Sequence, residues 1–136
     1  MGKISSALSS LFGRIGSAPS VPRRVWAVVL AGGSSTRMGD GISKQWLTLD
    51  GLPVIVRTLL AFEAASRVSD IILVVRAEEK ARYDGMAEQY GIGKLRRVVV
   101  GGDSRQASAE NGFLAVADKA DMVAIHDGAR CLVTPE

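Results

Sequence analysis

The sequence predicts an α/β domain built on a mainly parallel sheet, and three observations carry that expectation. Val25–Ala31 is an unbroken apolar run, as a central strand covered on both faces requires. Behind it, strand-like and helix-like segments alternate along the chain, the pattern of parallel strands joined by helical, right-handed crossovers. Polar, glycine-bearing clusters follow three of the expected strands: Gly32–Gly33, Gly101–Gly102–Asp103 and His126–Asp127–Gly128. In an open parallel sheet such loops share the C-terminal edge of the strands, which is where these sheets hold ligands.

The elements follow in order. After the first strand, a glycine-rich basic run extends from Leu30 to Trp46. Val54, Val56, Leu59, Leu60, Phe62 and Ala65 then recur at helical spacing behind Pro53, which suits a helix start. Ile71–Val75 is β-branched and reads as a second buried strand. Residues from Glu78 to Tyr90 read as a helix ended by Gly91. Val98–Val100 is the third strand, Arg105–Lys119 the third helix and Met122–Ile125 the fourth strand. Residues 1–24 stand apart. Ile4, Leu8, Leu11, Phe12 and Ile15 recur among serines before Gly16–Pro22 breaks the pattern, so a flexible basic leader is expected ahead of a single domain over 25–136. A transit peptide or a membrane-surface helix is the less favoured reading of that leader.

Composition narrows the class. A chain of 136 residues, 47% of them hydrophobic, has enough material for a core without disulfides or metal staples. Its single cysteine, Cys131, excludes an internal disulfide and suits a reducing compartment, so the cytoplasm is expected. The pI of 9.4 invites a nucleic-acid reading. Yet Lys3, Arg14, Arg23 and Arg24 precede Val25 with no acid among them, leaving 13 of the 17 basic residues against all 14 acidic ones behind. The basic excess belongs to the leader. With three Phe, two Tyr and two Trp there is no aromatic-basic platform for bases, and no apolar window suits a membrane span. Neither nucleic acid nor a membrane is an expected partner.

The clusters suggest polyphosphate chemistry. Glycines let backbone N–H groups approach phosphate oxygens, and Arg37 and Lys44 supply cations within the same run. Pre-placed cations of this kind stabilise charge that develops on phosphate oxygens in a transferring group. Gly32–Gly33–Ser34–Ser35 continues into neither G-K-[ST] nor G-x-G-x-x-G, so this is no Walker loop or dinucleotide fingerprint. In the second cluster Asp103 or Ser104 suits a helix N-cap, while exposed N–H groups and Ser108 suit a base or phosphate. In the third, Asp127 is placed to bind Mg²⁺ beside nucleotide phosphates, to hold ribose hydroxyls, or to pair with Arg130. His126, the only histidine, reads as a structural residue, and Cys131 has no surroundings that mark a nucleophile.

Taken together, these runs resemble the 2-C-methyl-D-erythritol 4-phosphate cytidylyltransferases of the non-mevalonate isoprenoid pathway. The resemblance rests on Ala31–Gly32–Gly33 through Arg37–Met38–Gly39, Lys44–Gln45, Gly51–Leu52–Pro53–Val54, Gly101 through Ser108 with Asn111–Gly112, and His126 through Arg130. It extends from about Arg24 to the last residue. It implies a Rossmann-like nucleotidyltransferase fold, with helices on both faces of the sheet. The reaction implied is transfer of CMP from CTP to the methylerythritol phosphate with Mg²⁺, releasing pyrophosphate without a covalent enzyme intermediate. Carried over, Ala31, Gly32 and Gly33 contact the nucleotide, and Arg37 and Lys44 stabilise the reacting phosphate and the leaving pyrophosphate. Gly102, Asp103 and Ser108 read the cytosine, and Asp127 with Gly128 lies at the ribose and metal.

The chain departs from the family pattern at Ser35, where a second loop glycine is usual, and at Gly128, where alanine is usual. It also has Ala109 for valine and Cys131 for the proline after the arginine. Full-length relatives are homodimers whose domain continues past this point with the acceptor contacts, so an N-terminal portion, truncated at its C-terminus, is expected. Such a portion is expected to expose apolar surface and to turn over slowly or not at all. A ribitol-5-phosphate cytidylyltransferase is the nearest rival. Arg105–Gln106–x–Ser108 with Asn111–Gly112 favours the isoprenoid enzyme, and Lys44–Gln45 argues against a sugar-1-phosphate nucleotidyltransferase. A non-catalytic nucleotide-binding module is the alternative from a different class.

Overall fold

The structure, a computed structural model, describes residues 23–33 and 43–136. Leader residues 1–22 lie outside the described residues, as do Ser35 and Arg37. Strand β1 (Val25–Ala31) is followed by a 3-10 turn (Lys44–Trp46), a small hairpin of β2 (Thr48–Leu49) and β3 (Leu52–Pro53), and helix α1 (Val54–Ala64). Next come β4 (Val68–Val75), a 3-10 segment (Ala77–Tyr83), α2 (Met86–Tyr90) and β5 (Leu95–Val100). Helix α3 (Arg105–Val116), a 3-10 turn (Ala117–Lys119) and β6 (Met122–Asp127) complete the order.

The main sheet runs β5-β4-β1-β6 and every neighbouring pair in it is parallel. Side chains alternate across β1, and each face has its own core. Ala27, Val29 and Ala31 pack with Ile55, Val56 and Leu59 of α1 and with Tyr83, Met86 and Ile92. Trp26, Val28 and Leu30 pack with Ile72, Val74 and Val116 of α3. Burying each such Val, Leu or Ile contributes about 1.5–3 kcal/mol, so a strand buried on both sides needs the uninterrupted apolar run seen in the sequence. Helix α3 sits very close to the sheet. A Cβ at Gly112 would meet Val74 Cγ2 at 2.8 Å and collide with Val28 as well.

The chain leaves β1 through α1 to β4 and β5 on one side, then returns through α3 to β6 on the other. The reversal makes the C-terminal ends of β1 and β6 the switch point of the sheet, the preferred crevice for ligands in such folds.

Several elements differ from the sequence expectation. The strand expected over Ile71–Val75 begins at Val68, that over Val98–Val100 begins at Leu95, and that over Met122–Ile125 runs on to Asp127. The helix expected from Glu78 to Tyr90 is two pieces, a 3-10 segment ending at Tyr83 and the short α2. The break is Gly85, whose φ of 74° no helix accommodates; Gly91, at φ 70°, ends α2 as expected. Helix α3 stops at Val116 because Ala117 takes φ 52°, ψ −132°, and only a 3-10 turn follows to Lys119. Pro53 is the N-cap of α1 rather than its first helical residue, and it also pairs with Thr48 across the hairpin. That hairpin turns on Asp50 and Gly51, at φ 51° and 82°. Among the described residues no helix is long and apolar enough to cross a membrane.

Candidate functional site

At the end of β1 the chain passes from buried Ala31 into Gly32 and Gly33. Gly32 lies against the end of β4 and the first turns of α3: a Cβ there would stand 3.6 Å from Ser108 Oγ and 3.7 Å from the carbonyl carbon of Val75. Gly33 is exposed with open space beside it.

The second cluster is tied to β4 at its start and pinned by its own residues beyond that. The Gly101 N–H donates to the Val75 carbonyl at 2.8 Å and carries the β4–β5 pairing one residue past the strand. Ser104 is the N-cap of α3, its hydroxyl accepting from the Ala107 N–H at 3.0 Å. Asp103 is exposed. Ser108 is only 4% exposed, and its hydroxyl accepts from the Gly102 N–H at 3.1 Å. The sequence reading of Ser108 as a group facing a base meets a hydroxyl already engaged with the loop backbone.

The third cluster stands at the switch point. Asp127 ends β6 beside Leu30 of β1, and its carboxylate is one-third exposed. Arg105, one turn ahead of Ser108 on α3, approaches Asp127 Oδ1 with Nε at 3.1 Å, and Arg130 approaches Oδ2 with Nε at 3.3 Å. Both guanidiniums are largely exposed. Behind the carboxylate the turn closes on itself, with the Arg130 N–H donating to the Asp127 carbonyl at 3.0 Å and His126 Nε2–H to the Arg130 carbonyl at 2.9 Å. The His126 ring also meets Phe62 of α1 edge-on, with centroids 5.2 Å apart. Both contacts suit the structural role that the sequence suggests for His126. Gly128 is fixed by an N–H bond to the Leu30 carbonyl at 2.7 Å and by the Thr58 hydroxyl on its own carbonyl at 2.6 Å.

Lys44 opens the 3-10 turn and is exposed, while its neighbours Ser43 and Gln45 are buried and hydrogen-bonded to each other. Trp46, at the end of that turn, packs on Tyr83 with centroids 4.8 Å apart, beneath the Arg82 guanidinium at 4.6 Å. Burial pushes the Tyr83 phenol well above its ordinary range, with Glu79 adding to the effect, so it stays neutral. Buried Ser43 and Gln45 and the stacked Trp46 therefore seat the exposed Lys44.

The structure thus groups Gly32, Gly102 and Ser108 around the loop backbone, and Asp127 with Gly128 at the switch point. Arg105 links the two groups. Lys44, Gly33 and Asp103 stand exposed, and Arg37 lies outside the described residues. Arg105 and Thr58 were not expected as site residues. Arg105 carries a legible signal, a cation in the first turn of the helix behind a glycine loop, whereas Thr58 carries none in sequence. Among the described residues no group of three or more His, Cys, Asp or Glu side chains is placed to hold a metal by itself.

Comparison with known proteins fits this geometry. Residues 25–136 match the family model described as 2-C-methyl-D-erythritol 4-phosphate cytidylyltransferase. A protein of that description from Alkaliphilus metalliredigens is 37% identical over 118 residues, covering 86% of this chain and 49% of the relative. The chain spans about half the length of the curated relatives it matches. The 4-diphosphocytidyl-2C-methyl-D-erythritol synthase structure from Anaerococcus prevotii shares the fold, with TM-score 0.71 at 24% identity, over 85% of this chain and 48% of that one. A Mycobacterium tuberculosis protein solved in complex with manganese superposes with TM-score 0.64 at 27% identity, covering 82% of this chain and 54% of that one. The sheet order, the loops on its C-terminal edge and the match over 25–136 agree: this chain belongs to the 2-C-methyl-D-erythritol 4-phosphate cytidylyltransferase family.

Proposed function

We propose that this chain binds CTP at the switch point and carries the nucleotide half of a site that transfers CMP to 2-C-methyl-D-erythritol 4-phosphate. The observation that carries the reading is Asp127 held between Arg105 and Arg130 at the end of β6, one strand from the glycine loop after β1. Two exposed guanidiniums and the glycine loops after β1 and β5 share one edge, which suits a triphosphate far better than a neutral ligand.

In this reading Ala31, Gly32 and Gly33 present backbone to the nucleotide. Gly102 and Asp103 face the base, with Ser108 holding their loop in shape through the Gly102 N–H. Asp127 and Gly128 lie at the ribose. Arg37 and Lys44 offset the charge that builds on the α-phosphate and on the departing pyrophosphate. A phosphate oxygen of the acceptor forms the new P–O bond in line as the bond to pyrophosphate breaks, so no enzyme nucleophile is needed. This agrees with a structural His126 and with the half-buried, unpaired Cys131.

Asp127 suits a magnesium ion that brings further ligands with it. Magnesium in nucleotide sites takes one or two carboxylates plus phosphate oxygens and water, and Asp127 has two oxygens whose present partners are exposed arginines able to turn to phosphate. When bound, the ion neutralises charge on the phosphate oxygens. The cytoplasm is the location that a lone cysteine suits.

Calorimetry with CTP and Mg²⁺, alongside pyrophosphate release with methylerythritol phosphate or ribitol 5-phosphate as acceptor, tests the reading. Magnesium-dependent CTP binding that Asp127→Asn weakens supports it. Equal binding of all nucleoside triphosphates, or none of CTP, overturns it. Binding without turnover assigns the chain a non-catalytic nucleotide role, and faster turnover on ribitol phosphate reassigns the acceptor.

A further inference from the structure

Thr58 sits one turn into α1 and is completely buried, yet its hydroxyl reaches a residue 70 positions away. Two carbonyls lie within range, that of Gly128 at 2.6 Å and that of Val54 at 3.3 Å. A hydroxyl has one proton to give, and the shorter contact takes it. With the Gly128 N–H bound to Leu30, the backbone on both sides of this residue is gripped, once by β1 and once by α1.

Contact closes the remaining space. A Cβ at Gly128 would stand 2.8 Å from Ile55 Cδ1 and 2.9 Å from the Leu30 carbonyl oxygen, so the turn is seated directly on α1. The same helix grips the other side of the site. The Val54 N–H donates to the Leu47 carbonyl at 2.9 Å, and Arg57 donates to the carbonyls of Leu49 at 2.7 Å and Asp50 at 2.9 Å, immediately behind the Lys44 turn. One rigid helix therefore holds both the Lys44 side and the Asp127 side.

We propose that Thr58 is a positioning residue: through the Gly128 carbonyl it fixes the Asp127–Arg130 turn on α1 and so aims Asp127 and Arg130 at the nucleotide and its metal. It touches no ligand, and the proposal rests on the CTP-site reading above. The expected cost of losing the aim is about tenfold in magnesium–CTP affinity, as for other groups that orient a metal-binding carboxylate from behind.

The test uses the 136-residue chain, with Thr58→Val removing the hydroxyl at nearly constant shape and Thr58→Ser keeping it. Amide exchange at Gly128 and Arg130 is expected to accelerate in T58V while β1 and β4 stay protected, and T58S is expected to restore it. Magnesium–CTP affinity is expected to fall about tenfold in T58V and to recover in T58S. Adding Asp127→Asn to T58V is expected to cost less than about twofold more, because a misaimed carboxylate has little left to lose. CTP affinity within about twofold of the wild type in folded T58V, or full additivity with D127N, overturns the proposal and leaves Thr58 a purely structural residue. Unchanged amide exchange at Gly128 overturns it as well. A wild-type chain that fails to bind CTP shows itself in the unmutated protein, and it removes the site reading and this proposal together.

Discussion

The loop that ends β5 and the turn that ends β6 stand on the same sheet edge but are built in opposite ways. Past the Gly101 bond to β4, residues Gly102–Ser108 hold themselves: Ser104 caps Ala107, and Ser108 reaches back to Gly102, each within a few positions of its partner. The Asp127–Arg130 turn closes on itself but is also anchored by distant residues, with Leu30 on its Gly128 N–H, Thr58 on its Gly128 carbonyl and Arg105 on its carboxylate. A self-contained loop survives changes elsewhere in the fold. A turn anchored from three directions inherits its shape from the whole domain, which suits a position where separate parts of a ligand must be met at once.

Mutations that remove single hydrogen bonds sharpen the contrast. Thr58→Val strips the partner from the carbonyl of buried Gly128, and urea unfolding is expected to show a loss of about 2 kcal/mol. Ser104→Ala removes a cap at an exposed helix start and is expected to cost about 1 kcal/mol. Ser108→Ala is expected to cost less, about 0.5–1 kcal/mol, because the Gly102 N–H it abandons is exposed and finds water. If either serine proves costlier than Thr58, the contrast between a self-held loop and a borrowed turn fails.

Much of this was legible in sequence where the cause is local. The apolar run of β1, the cap choice between Asp103 and Ser104, and the stop at Gly91 are each decided within a few residues. The helix expected from Glu78 to Tyr90 divides for a local reason too, because Gly85 takes the positive φ that decides the break. Asp50–Gly51 likewise announces a hairpin to a reader who weighs turn chemistry over spacing. What sequence does not show is contact between distant positions. Arg105 meets Asp127 because α3 and β6 flank the switch point, and Thr58 meets Gly128 because α1 lies against the end of β1 and β6. No pattern within either segment encodes those meetings.

The smallest expected effect lies away from the site, where Asp70 of β4 pairs with Arg96 of β5. Burial raises the Asp70 pKa, but hydrogen bonds from Arg96 and Ser69 outweigh it, so the carboxyl titrates below its ordinary 3.8. A lowered pKa in the folded chain means that the pair stabilises above that ordinary value and that the gain is lost as pH falls through the folded one. Asp70→Asn is therefore expected to cost under about 0.5 kcal/mol near neutrality, with the difference closing in acid, as urea curves at several pH values would show.

Trp46 and Trp26 give the chain two optical reporters with separate assignments. Trp26 lies in the core at 8% exposure and answers to global unfolding, whereas Trp46 is wedged between Tyr83 and Arg82 two residues past Lys44. With Trp26→Phe silencing the first, emission from the second becomes a direct readout of the Lys44 turn. A nucleotide drawing on Lys44 is expected to shift that emission during titration, and a ligand confined to the Asp127 end is expected to leave it unchanged.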